Sequence, residues 1–366
     1  MTIHSRRNFI RNVAAGAAAI SVPHFSFGAK HKLSGGQDRP LGIALVGLGS
    51  YATNQLAPAL QQTTKIKLKG IVTGTPAKAA AWKTKYNLED KDIYNYETFD
   101  TIRDNPDIDV VYVVLPNSMH PEYTIRAAQA GKHVISEKPM AVSVRQCEEM
   151  IAACKKAGVQ LSIGYRLHFE PHNMEAMRIG QEKVFGDVKV IENAFGFRIG
   201  DPAQWRLKKA MAGGGAMMDV GVYCIQAARY ITGEEPVAVT AREFKTDPVK
   251  FSDVDETIFW QMEFPGKAAA NCVTTYAANT QRLFFAAEEG WLELKPAYGY
   301  GPIKGSTHQG PLDLPHINHQ AAQMDAFATC LIEKKSSSVS GEEGLKDLKV
   351  IEAIYKAIES GKRELV

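Results

Sequence analysis

Residues 41–52 read LGIALVGLGSYA. The apolar run LGIALVGLG shows no polar alternation, so it reads as a strand buried on both faces, as a parallel sheet requires. Gly47, Gly49 and Ala52 then space out G-x-G-x-x-A, with Ser50 and Tyr51 between the last two, and the chain runs on into a helical stretch, ATNQLAPALQQ. A strand feeding a glycine turn that opens a helix is the context in which this spacing holds a dinucleotide. The first glycine permits the turn, the second lets a pyrophosphate approach the backbone, and the small third residue lets helix pack on strand. The phosphates would then lie at the helix N-terminus.

Working outward, strand and helix patterns keep alternating. KIKLKGIVTG reads as a second strand, TPAKAAAWKTKYN as a helix with Thr75 as N-cap and Pro76 at its first position, and DVVYVVLP as a third strand. HPEYTIRAAQAG is a helix ended by Gly131, KHVISEKP a strand, VRQCEEMIAACKKAG a helix and VQLSIGYRL the last strand of this half. This alternation predicts an α/β, doubly wound parallel sheet over residues 40–162. After residue 162 two helical stretches, YRLHFEPHNMEAMRIGQ and GGGAMMDVGVYCIQAARYIT, accompany consecutive strands, among them DVKVIENAFGFR, ETIFWQMEFP, AAANCVTTYAA and RLFFAAEEGWLEL. Residues 163–366 therefore read as an α+β domain with one large, mostly antiparallel, open-faced sheet, closed by an amphipathic helix near 343–360. An open face must be covered, which predicts a homodimer or homotetramer joined through it.

The end of the second strand says which dinucleotide. An Asp or Glu there would bind the ribose hydroxyls of NAD; this chain has Val72, Thr73, Gly74 and Thr75, followed by Lys78. Hydroxyls, helix-start N–H groups and an ammonium suit a 2′-phosphate, so NADP is expected, with NAD as the alternative.

The 366 residues, 45% hydrophobic and 23% charged, suffice for two domains, and a net charge of +3 gives no reason to expect nucleic acid or a membrane surface as partner. Five cysteines without a Cys-x-x-Cys pair argue against a bound metal and against a disulfide framework, leaving mostly buried thiols. At the start, SRRNFIRN precedes VAAGAAAISVPHFSFGA, a charged segment followed by a short Ala/Gly-rich apolar one. That order is an export signal over residues 1–29, of the twin-arginine type, too short and too Ala-rich for a membrane span. Residues 30–39 read as a linker. The expected location is the periplasm.

Two loops lie beyond strand ends, where such sheets bind ligands: LPNSMHPE, with Leu115, Asn117 and His120, and SEKPM, with Glu137 and Lys138. His120 reads most simply as an ordinary helix-start residue. Lys138, between a strand end and Pro139, is poorly placed for mere solubility; an ammonium there stabilises a developing alkoxide or acidifies a neighbour. Asp219 and Tyr223, four residues apart after Gly213–Gly215, share one face near a helix start. Spacing alone leaves two readings, a packed aromatic beside a dipole-favoured Asp, or a proton-transfer site with Tyr223 as acid/base and Asp219 orienting a substrate hydroxyl.

Together LVGLGSYA, VVLPNSMH, GKHVISEKPMA, GYRLHFEPHN, DPAQWRL, GGGAMMDVGVY and GEEP resemble the Gfo/Idh/MocA family of sugar oxidoreductases, and within it the glucose-fructose oxidoreductase branch. The resemblance implies a Rossmann-type first domain and places catalysis on Lys138, Asp219 and Tyr223. It also implies that Thr73, Gly74, Thr75 and Lys78 hold the adenosine phosphate of NADP. Leu115, Asn117, His120, Glu137, Arg166, Trp205 and Arg206 match positions around the nicotinamide and substrate. Many relatives carry His where this chain has Tyr223; the Tyr form resembles the aldose-oxidising and dihydrodiol dehydrogenase branch, which implies hydride transfer between C1 of an aldose and the nicotinamide. The His form includes nicotinamide-dependent glycosidases. Where the branch has a long arm after its signal, only about ten residues separate Ala29 from Pro40 here.

Overall fold

The computed structural model describes residues 39–366; the signal read over 1–29, and the linker up to residue 38, lie outside the described residues. Six strands form the first sheet: β1 (Leu41–Val46), β2 (Ile66–Val72), β3 (Ile93–Tyr94), β4 (Val110–Val113), β5 (His133–Ser136) and β6 (Leu161–Ile163). All pair in parallel, in the order β3-β2-β1-β4-β5-β6. Every residue of β1 is buried because helices cover both faces. Ile43 and Leu45 pack with Leu56, Leu60 and Trp82 on one side. Ala44 and Val46 join Phe99, Tyr123 and Ala127 on the other. β3, two residues long, carries no readable pattern and adds one strand to those expected from sequence. The strand order reverses between β1 and β4, so the glycine turn after β1 sits at the topological switch point.

The second sheet has nine strands. They are β7 (Val188–Gly196), β8 (Ala238–Phe244), β9 (Thr257–Glu263), β10 (Ala269–Thr275), β11 (Thr280–Ala287), β12 (Trp291–Leu294), β13 (Gly305–Thr307), β14 (Gly310–Leu312) and β15 (Glu364–Leu365). Their order is β14-β13-β12-β11-β7-β10-β9-β8-β15, antiparallel except for the β7–β10 pair. RLFFAAEEGWLEL, read as one strand, is a hairpin: Ala287 N–H bonds the Gly290 carbonyl across Glu288 and Glu289, and β11 pairs with β12.

Alternation along β9 sends Ile258, Trp260 and Met262 inward and leaves Phe259, Gln261 and Glu263 exposed. The inner face packs on the helices Val222–Thr232 and Gly341–Ser360, and the helix Pro171–Gln181 packs in turn on Val222–Thr232. The outer face carries Phe244 edge-on to Phe259, and Phe284 beside Trp291. One long helix escaped the sequence reading altogether. His319–Ile332, from the later part of the chain, packs through Met324, Phe327 and Leu331 onto the first sheet, beside β1 and Leu56.

Candidate active site

Both domains line one cavity of about 1090 Å³. At one end is the glycine turn. Gly47 has φ +92°, and a Cβ there would lie 2.4 Å from the Val114 carbonyl; a Cβ on Gly49 would meet nothing within 4 Å. The first glycine is thus required by the fold, and the second keeps open a space in which a bulky anion can reach the backbone. The following helix, residues 50–60, opens with a π turn, Ala52–Leu56.

Thr73, Gly74, Thr75 and Lys78 line the same cavity at the end of β2. Thr73 Oγ1 accepts from the Thr75 amide at 3.2 Å, and Lys78 Nζ donates to the Leu48 carbonyl at 3.2 Å, which draws the ammonium back toward the glycine turn. The Tyr96 ring closes this end against Gly74. Among the described residues no carboxylate lines this end, and an open glycine cradle with hydroxyls and one ammonium fits a nucleotide with an extra phosphate.

At the other end Lys138, Asp219 and Tyr223, separated by up to 85 positions, come together. Lys138 follows β5; its Nζ donates to the Asp219 carbonyl at 2.5 Å, lies 3.4 Å from Asp219 Oδ1, and sits 4.7 Å from the centre of the Tyr223 ring. Asp219 Oδ2 accepts from Arg206 Nε and from the Tyr276 hydroxyl, each at 2.9 Å. Burial alone would raise this carboxyl, but Arg206, Lys138 and the Tyr276 hydrogen bond outweigh it and hold it at about 2. Asp219 is therefore a fixed anion that aims two cations, so its carboxylate is largely spoken for within the protein.

The helix bearing Asp219 and Tyr223 starts with another π turn, Met217–Gly221. Asp255 secures its start: Oδ1 accepts from Gly215 N at 2.6 Å and from the Tyr355 hydroxyl at 2.7 Å, and Oδ2 from Met217 N at 2.8 Å. A Cβ on Gly215 would fall 1.9 Å from the Asp255 carbonyl, which explains the last glycine of the run.

Among the other residues singled out in the sequence, Gly47, Gly49, Ser50, Tyr51, Leu115, Asn117, Glu137, Arg166, Trp205 and Arg206 all line the cavity. Glu137 is buried; desolvation pushes its carboxyl up, while Oε1 accepts from the Tyr112 hydroxyl at 2.6 Å. Asn117 is anchored through its amide to the Ala212 carbonyl at 2.8 Å. Ala52 and His120 stand apart. Ala52 is fully buried in the helix, where its small side chain serves packing. His120 is also fully buried, with Nε2 and Nδ1 2.8 and 3.0 Å from the Leu115 and Pro139 carbonyls, so it ties two site loops together from behind.

Sequence reasoning missed Tyr276, Phe195, Tyr298 and Tyr300. Phe195 lies edge-on to Tyr223 and stacks on Tyr298, and Tyr300 stacks on Tyr51 of the glycine turn. Phe195 is an inward-facing residue of β7, while Tyr276, Tyr298 and Tyr300 sit in turns after strands, where no alternation marks them. Among the described residues no cluster of His, Cys, Asp and Glu could hold a metal ion, and no helix is long and apolar enough to cross a membrane.

Two family models match the chain. The GFO/IDH/MocA oxidoreductase family, NAD-binding Rossmann fold, matches residues 41–165, and the GFO/IDH/MocA C-terminal domain matches residues 174–293. The chain belongs to the GFO/IDH/MocA oxidoreductases. A solved structure, the aldose-aldose oxidoreductase from Caulobacter crescentus complexed with glycerol, is 45% identical, with a TM-score of 0.87 over 90% of this chain and 100% of that one. D-xylose 1-dehydrogenase [NADP(+)] of Haloarcula marismortui is 29% identical over 334 residues, 88% of this chain and 92% of that protein. Trans-1,2-dihydrobenzene-1,2-diol dehydrogenase of Xenopus laevis is 32% identical over 225 residues, 60% of this chain and 66% of that protein.

Proposed function

We propose that the protein is an exported, NADP-dependent aldose oxidoreductase that converts an aldose to its lactone. The observation that carries this reading is the Lys138 ammonium 4.7 Å from the Tyr223 ring, in a cavity that also contains the glycine turn. Similarity to an aldose-aldose oxidoreductase and to an NADP-dependent xylose dehydrogenase supports the substrate class. The Thr73-Gly74-Thr75 end of β2, with Lys78 and without an acid, supports NADP.

Tyr223 takes the proton of the anomeric hydroxyl, and Lys138 stabilises the phenolate that accepts it. Asp219 holds Lys138 and Arg206 in place; Arg206 and Trp205 face the sugar. NADP held by the glycine turn, Thr73, Thr75 and Lys78 would supply the acceptor for the hydride that leaves sugar C1 and would return it to a second carbonyl sugar. Coupling two sugars answers the lack of an NADPH pool outside the cytoplasm: an enzyme exported folded by the twin-arginine route regenerates the cofactor it carries. Assembly of two or four copies would cover the outer sheet face around Phe244, Phe259, Phe284 and Trp291.

Denaturing the purified protein should release NADP, and an aldose added to the native protein should reduce it without further nucleotide. Tyr223→Phe should lower turnover by about 10²-fold or more, in line with loss of a general acid/base, while NADP binding persists. Full turnover in that variant would sink the assignment. Similarity to the dihydrodiol dehydrogenases favours a second reading, a conventional dehydrogenase with exchangeable NADP. Isolation without nucleotide, with activity restored by added NADP, would select it.

A further inference from the structure

Arg166 lies behind the proton-transfer pair, in the turn Arg166–Phe169 after β6, and is 3% exposed. Its guanidinium carbon is 5.1 Å from the centre of the Tyr223 ring and 4.7 Å from that of Tyr300. Nη2 donates to the Tyr298 carbonyl at 2.5 Å and Nη1 to the Gly299 carbonyl at 2.9 Å. Nη1 also lies 3.2 Å from His319 Nδ1. Among the described residues Nε is buried without a hydrogen-bond partner, although the residue lines the cavity. A guanidinium only donates, so Nδ1 of His319 must be the unprotonated acceptor. The imidazole is then neutral with its proton on Nε2, which faces the Tyr300 carbonyl at 3.3 Å. Burial and the neighbouring Arg166 agree, holding His319 down at about 4, against the opposing pull of the Tyr300 carbonyl and, after it, of Glu170. His319 is itself fixed as the first residue of its helix, whose N-cap Asn318 accepts from Ala321 N at 3.0 Å.

We propose that Arg166 is the second cation of the proton-transfer site, stabilising the Tyr223 phenolate alongside Lys138, and that His319 is a positioning residue that holds the guanidinium there as a neutral acceptor. This rests on Tyr223 being the acid/base. An anion forming on Tyr223 faces Lys138 from the end of β5 and Arg166 from the end of β6, with the buried Glu137 beside both cations, Tyr51 and Tyr300 as further titratable groups beside Arg166, and Asp219 on its own helix. Two cations from two strand ends thus act on one phenol, and only one of them has a carboxylate bonded to it. A lysine at 166 could not replace the fork, because two carbonyls and an imidazole use its planar donors.

The test is the pH titration of Tyr223 in the holoenzyme, read as the phenolate absorbance difference between a protein and its Tyr223→Phe counterpart. Arg166→Met should move that titration up by about one pH unit or more, with about a tenfold loss of aldose kcat/KM at neutral pH. His319→Leu should move it the same way by less, and His319→Asn, which restores an acceptor near Nδ1, should bring it back. An unmoved titration in a folded Arg166→Met protein overturns the proposal. Should near-ultraviolet circular dichroism show that variant unfolded, the His319 pair decides: Leu shifted and Asn unshifted supports it, both unshifted overturns it. A shifted titration in a protein that turns over no aldose would leave this assignment standing and remove the substrate reading alone.

Discussion

Asp219 is the residue on which the site's charge balance turns. Its carboxyl is held at about 2 against an ordinary 3.8, through Arg206, Lys138 and Tyr276 working against burial. A carboxyl lowered on folding adds stability that is fully present above its unfolded value and is lost as pH falls through the folded one. The shift is worth about 2 kcal/mol. Asp219→Asn should therefore lower stability to urea by about that amount at pH 7, with the gap to the parent narrowing from pH 4 toward pH 2. A gap that stays constant down to pH 3 would show that the carboxylate's charge is not what matters. Activity should fall as well, because Lys138 and Arg206 lose the anion that aims them. At this scale the meeting of Lys138, Asp219 and Tyr223 was legible only through the family resemblance, since spacing alone left two readings of Asp219 and Tyr223. His319 and Tyr276 were not: each touches the site only because the chain returns to it some 50 to 150 positions away from Arg166 or Asp219.

Among the elements, the helix that carries Asp219 and Tyr223 is fixed from outside itself. Asp255 accepts from two backbone N–H groups at its start and from Tyr355 on the C-terminal helix Gly341–Ser360. Removing the carboxylate strands these donors in a buried setting, at about 1–3 kcal/mol each. Asp255→Ala should cost about 3 kcal/mol in urea unfolding and reduce kcat, while Asp255→Asn, which keeps one acceptor, should recover part of both. A stable, fully active Asp255→Ala protein would mean that the π turn holds Asp219 unaided. The long parallel strands and the helices between them were readable because their apolar patterns are strong. β3 and β13–β15, two or three residues each, are too short to carry a period. The helix His319–Ile332 was hidden for the opposite reason: Gln320 and Gln323 are as buried as Met324 and Phe327, so polarity does not mark its outer face. Gln323 spends its amide on the Tyr112 hydroxyl, which in turn donates to Glu137.

Across the molecule, a buried ionic network joins the two halves behind the site. Asp347, fully buried on the C-terminal helix, accepts from Arg229 Nη1 at 2.5 Å, from Gln226 at 2.8 Å and from Tyr165, just after β6, at 2.6 Å. Such a network rewards complete folding, since each partner is costly to leave unpaired. The thiols depend on the same cooperativity. Cys147, Cys154, Cys224 and Cys272 are buried and unpaired, and burial pushes the pKa of each thiol up, that of Cys154 to about 12. A thiol so protonated and enclosed resists oxidation and exchange. Cys330, partly exposed on His319–Ile332, is the exception. If the chain crosses to an oxidising compartment already folded, four of its five thiols arrive shielded. An aromatic disulfide reagent should then label one thiol quickly in the native protein and the other four only at the global unfolding rate. Cys330→Ser should abolish the fast phase. Rapid native labelling of two or more thiols would show that the interior opens locally, and folded export would no longer explain how free cysteines survive outside the cytoplasm.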